Sequence, residues 1–227
     1  MITLNPYKLV EAYSFSKREE SGLTEASQRY IKSTFHASHI LLIWYGGTIS
    51  SWYSPTCETI IPLSQSPVRK SIEYINTFWI SDIVFDHIPL LSKDSRNITE
   101  DDIYTLFDIV TMVSNSRILI TIWTYLGPSI ALALFLLKKD FHLKKIVVTW
   151  SILPAWFLAS DAEPNMWSAI SILNLISQSQ EDISFVWFVF HGHTYSTQGQ
   201  LETLNLHPKN TEDIVIEYPH LSIPIIR

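Results

Sequence analysis

Side chains able to do chemistry are sparse in this sequence. Cys57 is the one cysteine, which excludes an internal disulfide and a cysteine-only metal site. No histidine stands close to it in sequence, so nothing nearby marks it as a reactive thiol. His191-Gly192-His193 offers two imidazoles, but zinc takes three or four ligands, and neither an HExxH pattern nor a second cysteine is present. These histidines read as solvent-facing loop residues, and no metal is expected. Only 6 glycines are present among 227 residues, less than half of a usual share of roughly 7%. The backbone therefore has few places to cradle a phosphate, and no cofactor is expected. What remains are hydroxyls, carboxylates and amides on polar stretches: Thr48 after Gly46-Gly47, Tyr53, Ser95 beside Arg96, Thr124 beside Tyr125, and Ser160-Asp161 with Asn165. A lone threonine after a strand caps the next turn unless a base activates it. Ser160-Asp161 suits the start of a helix, which Asn165 would help to order.

Positioning these residues falls to alternating strands and helices. Ile40–Trp44 is an apolar run ending at two glycines, which predicts a buried strand entering a turn. Further strands are predicted over 83–88, 118–124, 145–148 and 185–190. Helical spacing predicts helices over 68–78, 129–137 and 162–176. Thr99 and the acids after it open another helix reaching about Met112, with Thr99 as N-cap and the acids at the positive end of the dipole. Strands alternating with helices imply parallel βαβ units, and their continuous apolarity implies a sheet covered on both faces. The fold class is therefore a three-layer α/β domain with a mostly parallel sheet. Ligands of such sheets sit at the carboxyl ends of the strands, which directs attention to the loops 46–53, 90–97, 124–129, 150–165 and 191–198. Residues 1–37 are polar and mixed, with a short helix expected over 21–30. Residues 206–227 carry three prolines and read as an irregular tail or an edge strand.

Composition narrows the partners. The chain has 227 residues, enough for one sizeable domain, and a net charge of -6 without the basic patch that binds nucleic acid. Its 8 Trp, 10 Tyr and 11 Phe predict an aromatic core or interface. Residues 1–19 lack the apolar core of a signal peptide, and with one cysteine the expected location is the cytoplasm. Mean hydropathy is +0.14, and 118–137 is an uncharged stretch of membrane-spanning length. Gly127-Pro128 divides it, and β-branched residues crowd its first half. A buried strand followed by a buried helix is therefore the favoured reading, and membrane association is not expected.

Six segments, in order, resemble the L-asparaginase family. Tyr45-Gly46-Gly47-Thr48-Ile49-Ser50 is similar to its T-G-G-T-I-A, and Asp94-Ser95-Arg96-Asn97-Ile98-Thr99 to its D-S-S-N-M-T. Ile120-Thr121-Ile122-Trp123-Thr124-Tyr125 falls at I-T-H-G-T-D, and Val148-Thr149-Trp150-Ser151-Ile152-Leu153-Pro154 at the T-G-A-M-R-P segment. Ser160-Asp161-Ala162-Glu163-Pro164-Asn165 resembles S-D-A-x-x-N, and Val189-Phe190-His191-Gly192 resembles V-F-N-G. The resemblance covers residues 38–205 and implies the family's N-terminal domain alone, with 1–37 as an extension and 206–227 as a tail.

The resemblance implies an amide-hydrolysing site built from Thr48, the loop residue Tyr53 and a second threonine, Thr124, with Ser95, Arg96 and Tyr125 at substrate-binding positions. It also implies losses. The family's Asp is Tyr125, a neutral phenol in place of an anion. The family's Lys has no counterpart over 198–203. Trp123 and Trp150 replace glycines, and both are expected to fill the cleft with aromatic surface. The expected function is a catalytically inactive, asparaginase-like domain acting through protein contacts, as a homo-oligomer or a subunit of a larger complex. The alternatives are a diverged threonine-dependent amidohydrolase and a module sensing an amino acid or amide.

Overall fold

The computed structural model describes residues 5–16, 23–54, 59–62, 83–90, 93, 97–124, 126–141, 143–155, 157, 159–178 and 184–197. The expected helix over 68–78 and the tail over 206–227 lie outside them. The helices are α1 (Pro6–Ser16), α2 (Glu25–Thr34), α3 (Glu100–Met112), α4 (Gly127–Leu136) and α5 (Ala162–Gln178). The strands are β1 (Ile40–Trp44), β2 (Ser51–Ser54), β3 (Thr59–Pro62), β4 (Phe85–Pro89), β5 (Arg117–Thr121), β6 (Lys145–Thr149), β7 (Phe185–Phe190) and β8 (His193–Ser196).

The main sheet runs β4-β1-β5-β6-β7-β8, parallel except for β8, which lies antiparallel to β7. Residues 193–196 thus form a strand where the sequence suggested only a loop. The turn that makes this possible is His191-Gly192, with φ of 50 and 70. Two successive positive φ values give the tight hairpin turn whose twist matches the strands. A small antiparallel pair, β2–β3, follows the first turn. The mostly parallel α/β architecture expected from the sequence is therefore present.

The pleat divides each central strand between two apolar clusters. Leu41, Ile43, Ile118, Ile120, Ile146 and Val148 face the cluster that holds residues of α3 and α4. Ile40, Leu42, Leu119 and Val147 face the cluster formed with Met166, Ala169, Ile170 and Leu173 of α5. β1 is buried along its whole length, which is why its sequence is continuously apolar rather than alternating.

The uncharged stretch 118–137 is resolved into β5 and α4, separated by a turn. Among the described residues no helix is long and apolar enough to cross a membrane. α4 still carries almost no polar side chain, and Ile130, Ala131, Leu132, Ala133 and Leu134 are all buried. A helix apolar on every side must be covered on every side. β7 lies against α4, and so does α1. Residues 5–16 and 23–37 are thus more regular than the polar composition of 1–37 suggested. Helix α2 spans 25–34, later in the chain than expected, and α1 was not foreseen.

The connection from α2 to β1 is stitched to the segment after α3 residue by residue. Ser114 Oγ donates to the Phe35 carbonyl at 2.8 Å, Asn115 Nδ2 to that of His36 at 2.8 Å and Ser116 Oγ to that of Ala37 at 3.3 Å. Arg117 completes the series by donating to the Ser38 carbonyl. On the other side of that segment the buried Lys144 ammonium donates to the carbonyls of Val113 and Asn115. Burial pushes its pKa down from 10.5 to about 8.

Candidate functional site

The sheet order reverses at β1. From β1 the chain next joins the sheet at β4 on one side, then crosses to β5 on the other. Such a switch point leaves a crevice outside the carboxyl ends of the two strands. Thr48 follows β1 and Thr124 follows β5, so the topology carries both threonines to that crevice.

Two glycines make the close approach possible. Gly46 and Gly47 have φ of 77 and 95, a region that side chains disfavour. A Cβ on Gly47 would lie 2.6 Å from the Ile122 carbonyl carbon and 2.7 Å from the Trp123 nitrogen. The turn after β1 therefore rests directly on the backbone leaving β5. Thr48 then opens a short 3-10 helix, Thr48–Ser50.

The two hydroxyl oxygens are 3.3 Å apart, and Thr124 Oγ1 is also 2.7 Å from the Ser151 carbonyl oxygen. A hydroxyl has one hydrogen, and a carbonyl can only accept. The geometry makes Thr124 the donor in both contacts, so its one proton goes to the shorter, to the Ser151 carbonyl. A peptide carbonyl does not take up a proton near neutrality, so this contact orients Thr124 without activating it. Both threonines are half-buried.

Ser151 is held in place by side chains of the fifth segment of the resemblance. The Asp161 carboxylate accepts the Ile152 and Leu153 amides at 3.0 and 3.2 Å. Asn165 Nδ2 donates to the Trp150 carbonyl at 2.7 Å and to Asp161 at 3.1 Å, while its Oδ1 accepts the Gly192 amide at 2.6 Å. Asn165 is fully buried. This pair orders more than the helix start expected of it, because it ties the loop after β6 to the hairpin after β7. The cap itself comes from Ser160, whose Oγ accepts the Ala162 amide at 3.0 Å.

The two tryptophans part company. Trp123 lies over the Gly46 turn, where an added Cβ would stand 2.7 Å from its Cζ2, and its Nε1 donates to the Lys93 carbonyl at 3.1 Å. Its ring packs edge-on against Tyr45. Trp150 turns into the core, stacked on Phe188 and Phe190 at 5.5 and 5.3 Å and pressed against Gly127. Both tryptophans are buried in the same apolar cluster, Trp123 against the Gly46 turn and Trp150 against Gly127 at the start of α4. Trp150 is fully buried, and its indole nitrogen has no hydrogen-bond partner among the described residues. The Tyr45 hydroxyl is likewise buried and without a partner among them, and burial, then the Asp102 charge, push its pKa up.

Lys93 pairs with Asp102 at 2.8 Å, and Asp102 also closes a capping box with Thr99 at the start of α3. Burial alone would raise the Asp102 pKa; the hydrogen bonds from Lys93 and Thr99 outweigh it and hold the pKa below the ordinary carboxylate value. This ion pair had no signal in the sequence beyond the N-cap pattern. Tyr53 lies on β2 opposite Ile60. Ser95, Arg96 and Tyr125 lie outside the described residues. Among the described residues no group of three or more His, Cys, Asp or Glu side chains is arranged to hold a metal.

No family model matches the sequence, and no curated protein matches it. Solved structures do match the fold. The thermostable L-asparaginase from Thermococcus kodakarensis aligns at 20% identity and a TM-score of 0.52, over 70% of this chain and 46% of that one. L-asparaginase I from Vibrio cholerae aligns at 20% identity and 0.52, over 71% and 47%. A probable cytoplasmic L-asparaginase from Campylobacter jejuni aligns at 17% and 0.53, over 71% and 46%. The chain spans less than half the length of these structures. At such identities the likeness is one of fold, and it agrees with an asparaginase-like N-terminal domain.

Proposed function

We propose that the chain is a non-catalytic, asparaginase-like domain of the cytoplasm that acts through contacts with other protein chains. The observation that carries this reading is what Thr124 is bonded to. Its hydroxyl donates to the Ser151 carbonyl at 2.7 Å, with Thr48 Oγ1 at 3.3 Å. A nucleophilic threonine needs a group that accepts its proton and holds it. Here the partner is a peptide carbonyl, and Trp123 covers the turn where a substrate would approach the backbone. The threonine pair then serves as a joint between the loops after β1, β5 and β6.

One observation favours a second reading, a diverged threonine-dependent amidohydrolase. Two hydroxyls 3.3 Å apart at a switch point are an economical start for nucleophilic chemistry. One experiment separates the two. The purified chain is incubated with a panel of free amino-acid amides, peptide amides and simple carboxamides, and ammonia is measured beside Thr48→Ala. The non-catalytic reading expects no release above the variant's background. Release that Thr48→Ala abolishes would overturn it in favour of the hydrolase.

A further inference from the structure

The turn that leads into β1 brings two imidazoles together at the end of the sheet opposite the threonine crevice. The His39 amide donates to the His36 carbonyl at 3.0 Å, so the two histidines are the first and last residues of a β-turn. Their rings stand 4.9 Å apart, centroid to centroid. Two imidazoles side by side on one metal ion, with bonds of about 2.0–2.1 Å and an angle of roughly 90–110°, have centroids about 4.5–5.2 Å apart. The observed spacing falls inside that range. The Asp86 carboxylate on β4 lies 3.0 Å from His39 Nδ1. A carboxylate ion only accepts, so Nδ1 carries the hydrogen and Nε2 keeps its lone pair. Metal-ligating histidines are commonly held this way, by a carboxylate on the nitrogen that does not bind. Asp86 is itself fixed, since its Oδ2 accepts the His36 amide and Asn115 Nδ2, both at 2.9 Å. Asn115 is fully buried and also donates to the His36 and His39 carbonyls, the two ends of the turn. This network orders His39 and the turn in advance, so binding would not have to supply that order. His36 is exposed and His39 half-buried, which leaves an ion a path from solvent.

We propose that the His36–His39 turn binds one divalent transition-metal ion through both imidazoles, with Asp86 orienting His39 from behind. Two protein ligands leave the remaining positions to water. That set suits ions that take nitrogen and oxygen donors in a tetragonal plane, Cu2+ or Ni2+, rather than a closed tetrahedral zinc site. It is also consistent with there being, among the described residues, no metal-holding group of three or more His, Cys, Asp or Glu side chains. Arg117 reaches the same turn by donating to the Ser38 carbonyl. Its positive charge offsets that of Asp86, so the affinity rests on the imidazole lone pairs and not on net charge. The site stands apart from the threonine pair, and the proposal holds whether or not that pair is catalytic.

The test is calorimetric titration of the full chain with nickel chloride. One site of higher affinity than the rest is expected. His36→Ala and His39→Ala should each weaken it by about 100-fold, the usual loss when two linked contacts become one. Because His36 is exposed, its replacement leaves the fold intact and keeps the test decisive if His39→Ala does not fold. Asp86→Asn keeps the shape but weakens the hold on His39, and should cost about 10-fold. The double variant His191→Ala/His193→Ala, at the opposite end of the sheet, should bind as tightly as the wild type. With Cu2+ as probe, the electron paramagnetic resonance spectrum should show two coordinated nitrogens, and one in His36→Ala. Nickel binding that His36→Ala leaves unchanged overturns the proposal, as does binding that the His191/His193 variant abolishes. A spectrum with a single nitrogen in the wild type overturns it as well. Asp86→Asn with wild-type affinity would overturn the role given to Asp86.

Discussion

Replacing Gly127 with alanine isolates a steric effect from a conformational one. Gly127 is the first residue of α4 and its φ is not positive. On backbone grounds alone, alanine should stabilise the helix by up to about 1 kcal/mol. Its Cβ, however, would press hardest on Cε3 of Trp150 and lie 2.6 Å from both Cδ2 and Cζ3. Carbon atoms rest at about 3.5–4.0 Å, so the indole would have to retreat by more than about 1 Å. It has nowhere to go, being fully buried and stacked on Phe188 and Phe190. Overpacking of this kind costs about 1–3 kcal/mol, occasionally more, so a net loss of about 2 kcal/mol is expected. Trp150→Leu alone should cost about 3 kcal/mol by leaving a cavity. In the double variant the new methyl enters that cavity, and the two effects should fall short of additivity by about 2 kcal/mol. Urea unfolding of the four proteins closes the cycle. A neutral or stabilising Gly127→Ala in the wild-type background, or a coupling below about 0.5 kcal/mol, would refute the packing argument.

Other variants test the site and its supports. Thr124 donates to the Ser151 carbonyl, so Thr124→Val strands a buried carbonyl and should cost about 1–2 kcal/mol. Thr48→Val leaves that bond in place and should cost less; equal costs in urea unfolding would contradict the assignment of the Thr124 proton to Ser151. Asn165→Ala leaves the Trp150 carbonyl and the Gly192 amide unmet and should cost about 2–4 kcal/mol, with faster amide exchange expected in both loops. Lys144 should make stability rise with pH. Below pH 8 both folded and unfolded chains carry its charge; between about 8 and 10.5 the folded chain sheds the proton first, so unfolding takes one up, and the gain is at most about 3 kcal/mol. Above about pH 10 the trend should reverse, because the unfolded chain ionises tyrosines that burial keeps neutral at Tyr13 and Tyr45. Thermal unfolding from pH 7 to 11 reads both limbs, and Lys144→Met should remove the first.

Much of the scaffold was legible because its signals are local. β1, β5 and β6 are short and continuously apolar, which is what burial on both faces requires. Thr99 with Asp102 announced the start of α3 through a box that spans four residues. Where the signal is not local, the reading failed. α1 was missed because nothing in its own residues marks its ends, and what it covers lies about ninety residues or more further along the chain. β8 looked like a loop because its partner strand, not its own composition, makes it a strand. Trp150 and Trp123 are alike in sequence, each in place of a glycine, and both join one core cluster, yet one presses on Gly127 and the other on Gly46.

By itself the sequence determined the central parallel strands, the helices after them and which residues end up in the loops at the carboxyl ends of those strands, because periodicity and capping are written over a few residues at a time. It placed Thr48 and Thr124 there without relating them. Only the tertiary structure decided that their hydroxyls meet, and that the Thr124 proton goes to Ser151. The reason is physical: the acceptor is a main-chain carbonyl, which every residue possesses and no residue type reveals. Its position depends on Asp161 and Asn165, which hold the loop after β6 from the start of α5.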